Sequence, residues 1–379
     1  MGGPLSGVRI VELGGIGPVP YASMLLADAG ADVLRITRAH APEGLGTVGS
    51  GLLLRSRSSI GVDLKRPGGA ALVLDLVAGA DALVEGFRPG VAESMGLGPE
   101  PCLARNERLV YGRMTGWGQE GPMARKAGHD INYIAVAGAL WPIGRAGERP
   151  VPPLNLIGDF GGGGLVLAFG ILAALSESAR SGRGQVVDSA MLDGAASLLT
   201  MLYSHRALGV WEDRRGVNVL DTGAPFYEVY ETADGGYMAV GAIEPQFYAA
   251  LVGGLGLERS ELPPQMERSH WEETKAKFAA VFATKTREEW TAIFAQLDAC
   301  VTPVLSPAEA PGHEHVAQRE TYLEIDGIVQ PAPVPRFERT PSAAVAGSYL
   351  VGDAADGKLA EWGISNAVAS ALREDGALA

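Results

Sequence analysis

The chain is expected to fold as an α/β protein, with a parallel sheet in its first 200 residues and a smaller α+β region after them. Three observations lead there. Short apolar runs alternate with helical patterns from Val8 to Ser189, as βαβ units require. Near residue 215 the pattern changes to two-residue alternation around a glycine turn, which fits antiparallel strands. A length of 379 residues with 47% hydrophobic side chains suits two domains with sizeable cores.

The elements follow in order. Val8–Glu12 reads as a strand, Ala22–Ala29 as a helix and Asp32–Ile36 as a second strand, with a Gly/Pro turn after the first. That turn holds Gly14, Gly15 and Gly17 but lacks the G-x-G-x-x-G spacing, which argues against NAD or FAD. Leu72–Ala78 continues as helix, Ala82–Glu85 and Leu109–Met114 as strands. One helix begins near His129 and a long one follows Gly161–Gly164. Gln185–Asp188 is a strand leading into a helix at Ser189.

In the second region, Pro225–Glu231 and Tyr237–Gly241 pair around Ala233-Asp234-Gly235-Gly236. Helices follow at Gln246–Leu255, around Trp271–Phe282 and at Thr286–Leu297. Gln330–Pro341 is proline-rich and extended, a connection back to the first domain. The expected domains are 1–200 with 330–379 returning to them, a linker at 201–224, and 225–329.

Composition narrows the function classes. A net charge of −13 argues against a nucleic-acid partner, which needs a basic face. It leaves room for a local basic pocket that takes an anionic small molecule. The two distant cysteines, Cys102 and Cys300, form neither a disulfide framework nor a zinc site. A reducing compartment is the simpler reading, and with no signal-peptide pattern at the start the cytoplasm is expected. The longest apolar run, Leu165–Leu175, is short for a bilayer and contains Gly170, so no membrane partner is expected. His313-x-His315, beside Glu314, is the close histidine pair and reads as a solvated loop; no metal is expected.

Three residues stand out as chemistry. His129 sits where a helical pattern begins; the positive helix end favours a neutral imidazole, a base near pH 7. A half-buried histidine with a structural hydrogen bond fits the same pattern. Asp159 precedes four glycines and fits either an N-cap or a working carboxylate. Glycines in a helix are costly, so Gly161–Gly164 either let backbone N–H groups approach a ligand or let two segments pack closely. Glu244 stands before Pro245, at a cap where Glu is a poor choice; it either reaches for a partner or favours the helix dipole. Arg35, Arg38, Arg55, Arg57 and Lys65, followed by Arg88, make a local basic excess against Glu43 and Asp63, suited to phosphates or to surface solubility.

These stretches together resemble the α-methylacyl-CoA racemases within the family III CoA-transferase superfamily. The resemblance rests on LSGVRIVEL, GADVLRI, EGFRPGV, RMTGWGQEGP, AGHDINY, PPLNLIGDFGGGG, GQVVDSAMLDG, FYEVYETADGGYMAVGAIEPQFY and DACVTPVL, in order from residue 5 to beyond 300. It implies a large Rossmann-like domain, a small α+β domain and an interlocked homodimer, with each site between one chain's large domain and its partner's small one. It places the catalytic histidine on His129, the aspartate on Asp159 and a supporting glutamate on Glu244, contributed by the other chain. Contacts to CoA carry over to Arg38, to Val62, Asp63, Leu64 and Lys65, to Gly86, Phe87 and Arg88, and to Gly128, Asp130, Ile131, Asn132 and Tyr133. The chain departs from the family at Ser94, where a basic residue is usual; a charge-assisted phosphate contact worth ~1.5–3 kcal/mol is lost there.

The implied reaction moves the α-proton of a 2-methylacyl-CoA, with CoA as part of the substrate and no separate cofactor. His129 abstracts and Asp159 donates for one enantiomer, and the roles reverse for the other. The rival enzyme is a CoA-transferase in which Asp159 is a nucleophile. An epimerase for another 2-substituted acyl-CoA and a non-catalytic acyl-CoA binding protein are the further alternatives.

Overall fold

A computed structural model describes residues 2–39, 51–342 and 355–379. The chain divides into two compact units. One comprises Met1–Ala137, Leu154–Leu198 and Glu320–Ala379; the other comprises Gly138–Pro153 and Leu199–Arg319. The division differs from the expected boundaries at 138–153, which cluster with the second unit, and at 320–329, which cluster with the first.

The first unit is built on six parallel strands: β1 (Arg9–Leu13), β2 (Asp32–Thr37), β3 (Ser58–Gly61), β4 (Ala82–Glu85), β5 (Val110–Thr115) and β6 (Gln185–Ala190). Their order is β3-β2-β1-β4-β5-β6, so the winding reverses between β1 and β4. Parallel neighbours need crossovers. These are α1 (Pro18–Asp28), α2 (Pro67–Ala78), the short α3 (Val91–Ser94) and α4 (Pro99–Arg105), then α5 (Asp130–Val136) and α6 (Val166–Ser181), with α7 (Met191–Ser197) after the last strand. Proline opens α1, α2 and α4 in the first turn, where its missing N–H costs nothing. That is why α1 begins at Pro18 and not at Ala22 as expected.

Both faces of this sheet are covered, as its apolar strands demand. On β1, Val11 and Leu13 face α2, whose Leu72, Val73, Leu76 and Val77 are buried. Each of these side chains contributes ~1.5–3 kcal/mol by leaving water. Ile10 faces the other way, toward Val19, Ala22 and Leu26 of α1 and Leu167 and Ile171 of α6. Strand β6 extends past the expected helix start at Ser189, because Met114 and Thr115 of β5 pair with Ser189 and Ala190. The helix then starts at Met191.

The residues before α6 wind as a π-helix, Leu156–Leu165, continuous with it. The joined helix Leu156–Ser181 is 26 residues long, more than the apolar run read from sequence. Among the described residues it alone has the length and composition to cross a membrane. Its buried side packs in the core described above, while Leu165, Phe169 and Leu172 are exposed.

The second unit carries a three-stranded antiparallel sheet of β7 (Tyr227–Glu231), β8 (Tyr237–Gly241) and β9 (Val301–Pro303), with β8 central. Its helices are α8 (Thr200–Ala207), α9 (Pro245–Gly254), α10 (Trp271–Phe282), α11 (Arg287–Phe294) and α12 (Glu314–Gln318). The core is aromatic: Phe226, Tyr230, Tyr248, Trp271, Phe278, Phe282, Trp290 and Phe294 are all buried. Thr286 lies just outside α11 as its N-cap and exchanges hydrogen bonds with Glu289, a capping box.

The returning segment of the first unit holds the hairpin β10 (Tyr322–Ile325) and β11 (Ile328–Pro331), then α13 (Ala355–Glu361) and α14 (Asn366–Glu374). Gln330, expected in an extended connection, is instead paired in the hairpin and buried. Leu359, Trp362 and Ala369 complete the core against α2. Leu378 bridges back to Val62.

Candidate active site

In open parallel sheets, ligands bind outside the carboxyl ends of the strands, where the winding reverses. The first-unit segments that the resemblance assigns to CoA follow such ends. Arg38 comes after β2, Val62–Lys65 after β3, Gly86–Arg88 after β4 and Gly128–Tyr133 after β5. The glycine turn after β1 stands beside the reversal. It is pinned by Gly14 N–H donating to the Ile36 carbonyl and by Arg35 Nη2 donating to the Gly15 carbonyl at 3.2 Å.

Gly17 ends this turn with φ +66°, and a β-carbon there would lie 3.1 Å from Asp159 Oδ2. The turn therefore rests against Asp159 and needs glycine in that backbone region. Asp159 itself is half-buried on the π-helix. Asn155, four residues earlier, donates from Nδ2 to Asp159 Oδ2 at 3.1 Å. Burial raises the Asp159 pKa. The Asn155 hydrogen bond opposes this, the Asp130 charge adds to it and His129 opposes it.

Three of the four glycines, Gly162, Gly163 and Gly164, resolve as packing contacts. A β-carbon on Gly162 would lie 2.5 Å from the Ala195 nitrogen of α7. One on Gly163 would lie 2.9 Å from Met191 and 3.1 Å from Pro18, and one on Gly164 would lie 2.7 Å from the Pro18 carbonyl. Both α1 and α7 thus press on the π-helix, and the Tyr21 ring meets Phe160 at a tilt, with centroids 4.6 Å apart. Asp159 lies on the same π-helix that these contacts hold.

His129 is the N-cap of α5, extended and exposed, with its N–H held by Asn132 Oδ1 at 3.0 Å. Asp130 behaves differently from its neighbours. Its side chain is buried, and its Oδ2 accepts the Asp159 N–H at 2.7 Å. Tyr133 is buried beneath Gly116 and Gly128, donates to the Gly128 carbonyl at 2.5 Å and meets Trp117 edge to face. Burial raises its phenol pKa, as does the Asp159 charge, while Arg88 lowers it. Asp159, His129, Asp130, Tyr133 and Arg88 are thereby brought together. Ile131 and Asn132 remain exposed on the same turn.

The basic segment divides. Arg55 is buried and binds Asp28 through Nε and Nη2, Gln330 Oε1 at 3.2 Å and the Pro331 carbonyl at 2.6 Å. Arg57 is buried against Glu12, which also faces Arg35 at 3.7 Å. These three arginines tie the sheet to neighbouring segments and are not surface phosphate ligands. Glu43 lies outside the described residues. Arg38, Lys65 and Arg88 remain exposed. Val62 is buried in the core, so only its main chain is available to a ligand.

Glu85 closes β4 just before Gly86–Arg88. It is buried, accepts the Phe87 N–H at 2.7 Å and takes Arg113 Nε at 3.1 Å. Burial pushes its pKa up to about 7 against the Phe87 and Arg113 interactions. Ser94 ends α3 and donates its hydroxyl back to the Val91 carbonyl at 2.7 Å.

Glu244 belongs to the second unit. It is the N-cap of α9, exposed, and its side chain makes no capping bond. Among the described residues no group of three or more His, Cys, Asp or Glu is arranged to hold a metal. The sequence did not single out Asn155 or Glu85, and it marked Gly17 only as one glycine of a turn without dinucleotide spacing. Asn155 carried a signal, its four-residue spacing from Asp159; Gly17 and Glu85 act through residues distant in sequence.

The sequence places the chain in a known family. The profile of CoA-transferase family III matches residues 5–363, and the chain belongs to that family. Within it, the chain is 52% identical to the alpha-methylacyl-CoA racemase of Mus musculus over 344 residues, 90% of this chain and 88% of that protein. It is 46% identical to the alpha-methylacyl-CoA racemase of Homo sapiens over 381 residues, 98% and 96% of the two chains. Among solved structures, a CAIB/BAIF family protein from Brucella suis superposes with a TM-score of 0.83 at 24% identity, covering 96% of this chain and all of that one. That likeness concerns the fold.

Proposed function

We propose that this protein is an isomerase that interconverts (2R)- and (2S)-2-methylacyl-CoA thioesters by removing and returning the α-proton. The observation that carries the reading is the pair at the reversal of the sheet. Exposed His129 acts electrostatically on half-buried Asp159, whose carboxyl burial raises toward the protonated form. Racemisation needs two such groups, one holding a proton while the other takes one. His129 takes the α-proton of one enantiomer and Asp159 returns a proton to the opposite face; the other enantiomer reverses the roles. The thioester oxygen gains charge in between and is assigned to the first-turn N–H groups of α5. The Asp159 N–H is already given to Asp130. CoA enters as part of the substrate and is assigned to exposed Arg38, Lys65 and Arg88 with the main chain of the loops around them.

The same reading gives a homodimer, with Glu244 supplied to each site by the partner protomer. Supporting it, β6 is an edge strand with β5 as its single partner among the described residues. Beside it Phe169 is 72% exposed and Leu165 is 53% exposed, a patch that a second copy would cover.

His129→Ala and Asp159→Ala should each lower racemisation by ~10²–10⁴-fold, the usual loss of a positioned acid or base. Full activity in either variant refutes its role. Co-expressed His129→Ala and Glu244→Ala chains should recover activity if Glu244 is contributed by the partner, and none if it acts within its own chain. Family membership keeps one second reading open, a CoA-transferase in which Asp159 attacks the thioester. Asp159-dependent transfer of CoA to a free carboxylate, without α-proton exchange, would favour it.

A further inference from the structure

We propose that the buried carboxylate of Asp130 is a positioning residue for the proton transfer, clamping the main chain of Asp159 to the helix start that carries His129. The proposal rests on the racemase reading and assigns Asp130 a task distinct from holding CoA. Three observations carry it. The Asp130 side chain is 6% exposed, so it turns inward from the surface where His129 and Ile131 lie. Its Oδ2 accepts the Asp159 N–H at 2.7 Å, the distance of a charge-assisted bond. Gly158 is shaped to admit it: a β-carbon there would lie 2.7 Å from Asp130 Oδ2 and 2.8 Å from Cγ.

The second oxygen, Oδ1, is buried without a hydrogen-bond partner. An ionised carboxylate in that state is expensive. An asparagine would satisfy the same N–H without the charge, so the clamp alone does not require Asp. The charge has a target. The elements packed on the π-helix bring Tyr21 and Asp28 on α1, Asp130, His129 and Tyr133 at α5, Glu177 and Arg180 on α6, Asp188 on β6 and Asp193 on α7. The charges that act on Asp159 are Asp130, which raises its pKa, and His129, which lowers it. Asp130 thus fixes where the Asp159 carboxyl stands and favours its protonated form, the one needed when His129 abstracts.

The test compares wild type, Asp130→Asn and Asp130→Ala by α-proton exchange of a 2-methylacyl-CoA in deuterated water, with amide exchange of the 156–165 segment measured on the same samples. Asp130→Asn keeps the acceptor and should retain wild-type amide protection. Its rate in the direction that uses protonated Asp159 should fall off at a lower pH than in wild type. Asp130→Ala should lose amide protection and at least about tenfold in kcat, with KM within about twofold. With active wild type, an Asp130→Ala variant of undiminished amide protection and kcat overturns the clamp, and an unmoved Asp130→Asn profile overturns the role of its charge. An Asp130→Ala loss confined to KM overturns the proposal and would make Asp130 a CoA contact. Wild type without α-proton exchange overturns the racemase reading and the proposal with it.

Discussion

Gly162→Ala is the sharpest probe of how the site is supported. In an ordinary helix this change stabilises, by ~0.8–1 kcal/mol, because alanine loses less freedom than glycine. Here the new β-carbon would lie 2.5 Å from the Ala195 nitrogen and 2.8 Å from the Gly194 carbon. Normal contact needs roughly 1 Å more, and the obstacles are main-chain atoms of α7 that no rotamer change can move. Overpacking of this kind costs ~1–3 kcal/mol and more where backbone must shift. The clash therefore wins, and a net loss of about 1–2 kcal/mol is expected. At ~2–4 °C per kcal/mol, Tm should fall by several degrees. Asp159 is carried on the same π-helix, so a shift of about 1 Å should also cost up to ~10²-fold in proton exchange. Thermal unfolding and the α-proton exchange rate are the assays. A Gly162→Ala protein with wild-type or higher Tm and undiminished exchange would refute the packing role of the glycines.

Three further outcomes are expected. Gly17→Ala sets a methyl 3.1 Å from Asp159 Oδ2 at φ +66°; backbone strain of ~1–2 kcal/mol should appear in denaturant titration, together with lost exchange activity. Arg55→Ala leaves Asp28 buried without its cation, which should destabilise by ~3–5 kcal/mol, read from the urea midpoint. Glu85 has a folded pKa of about 7 against an ordinary 4.5, so its contribution is complete below 4.5 and is lost as pH rises through 7. Stability should fall by up to about 3 kcal/mol across that window, and Glu85→Gln should flatten the slope in unfolding measured at pH 5 and pH 8.

Most of the sheet was legible because β1, β2, β4 and β5 are short apolar runs buried on both faces; β3, with Ser58 and Ser59, was not read from the sequence. Residues such as Val11, Val84 and Val110 announce themselves without any knowledge of neighbours. The helix start at Thr286 was legible to within one residue, whereas the helix that opens at Pro67 was read only from Leu72, because its first turn is proline and small residues with no apolar periodicity. What local pattern could not convey was anything set by distant contacts. The glycines at 161–164 had two readings until α1 and α7 were seen against them. Arg55 and Arg57 looked like phosphate ligands because their partners, Asp28 and Glu12, lie in other elements. Asp130 looked like one more residue of a binding turn; its inward carboxylate depends on Gly158, 28 positions away. Strand β9 escaped notice because three residues carry too little periodicity. His129, Asp159 and Glu244 were visible as odd residues at helix starts, and the family resemblance joined them.

The most direct test of the central claim is to incubate enantiopure (2S)-2-methylacyl-CoA with the protein in deuterated water and follow both label and configuration. Racemisation through His129 and Asp159 predicts one deuteron at C2 and a mixture of enantiomers approaching equal amounts, with Asp159→Ala inactive. Unlabelled substrate of unchanged configuration, with CoA instead passed to a free carboxylate, would contradict it.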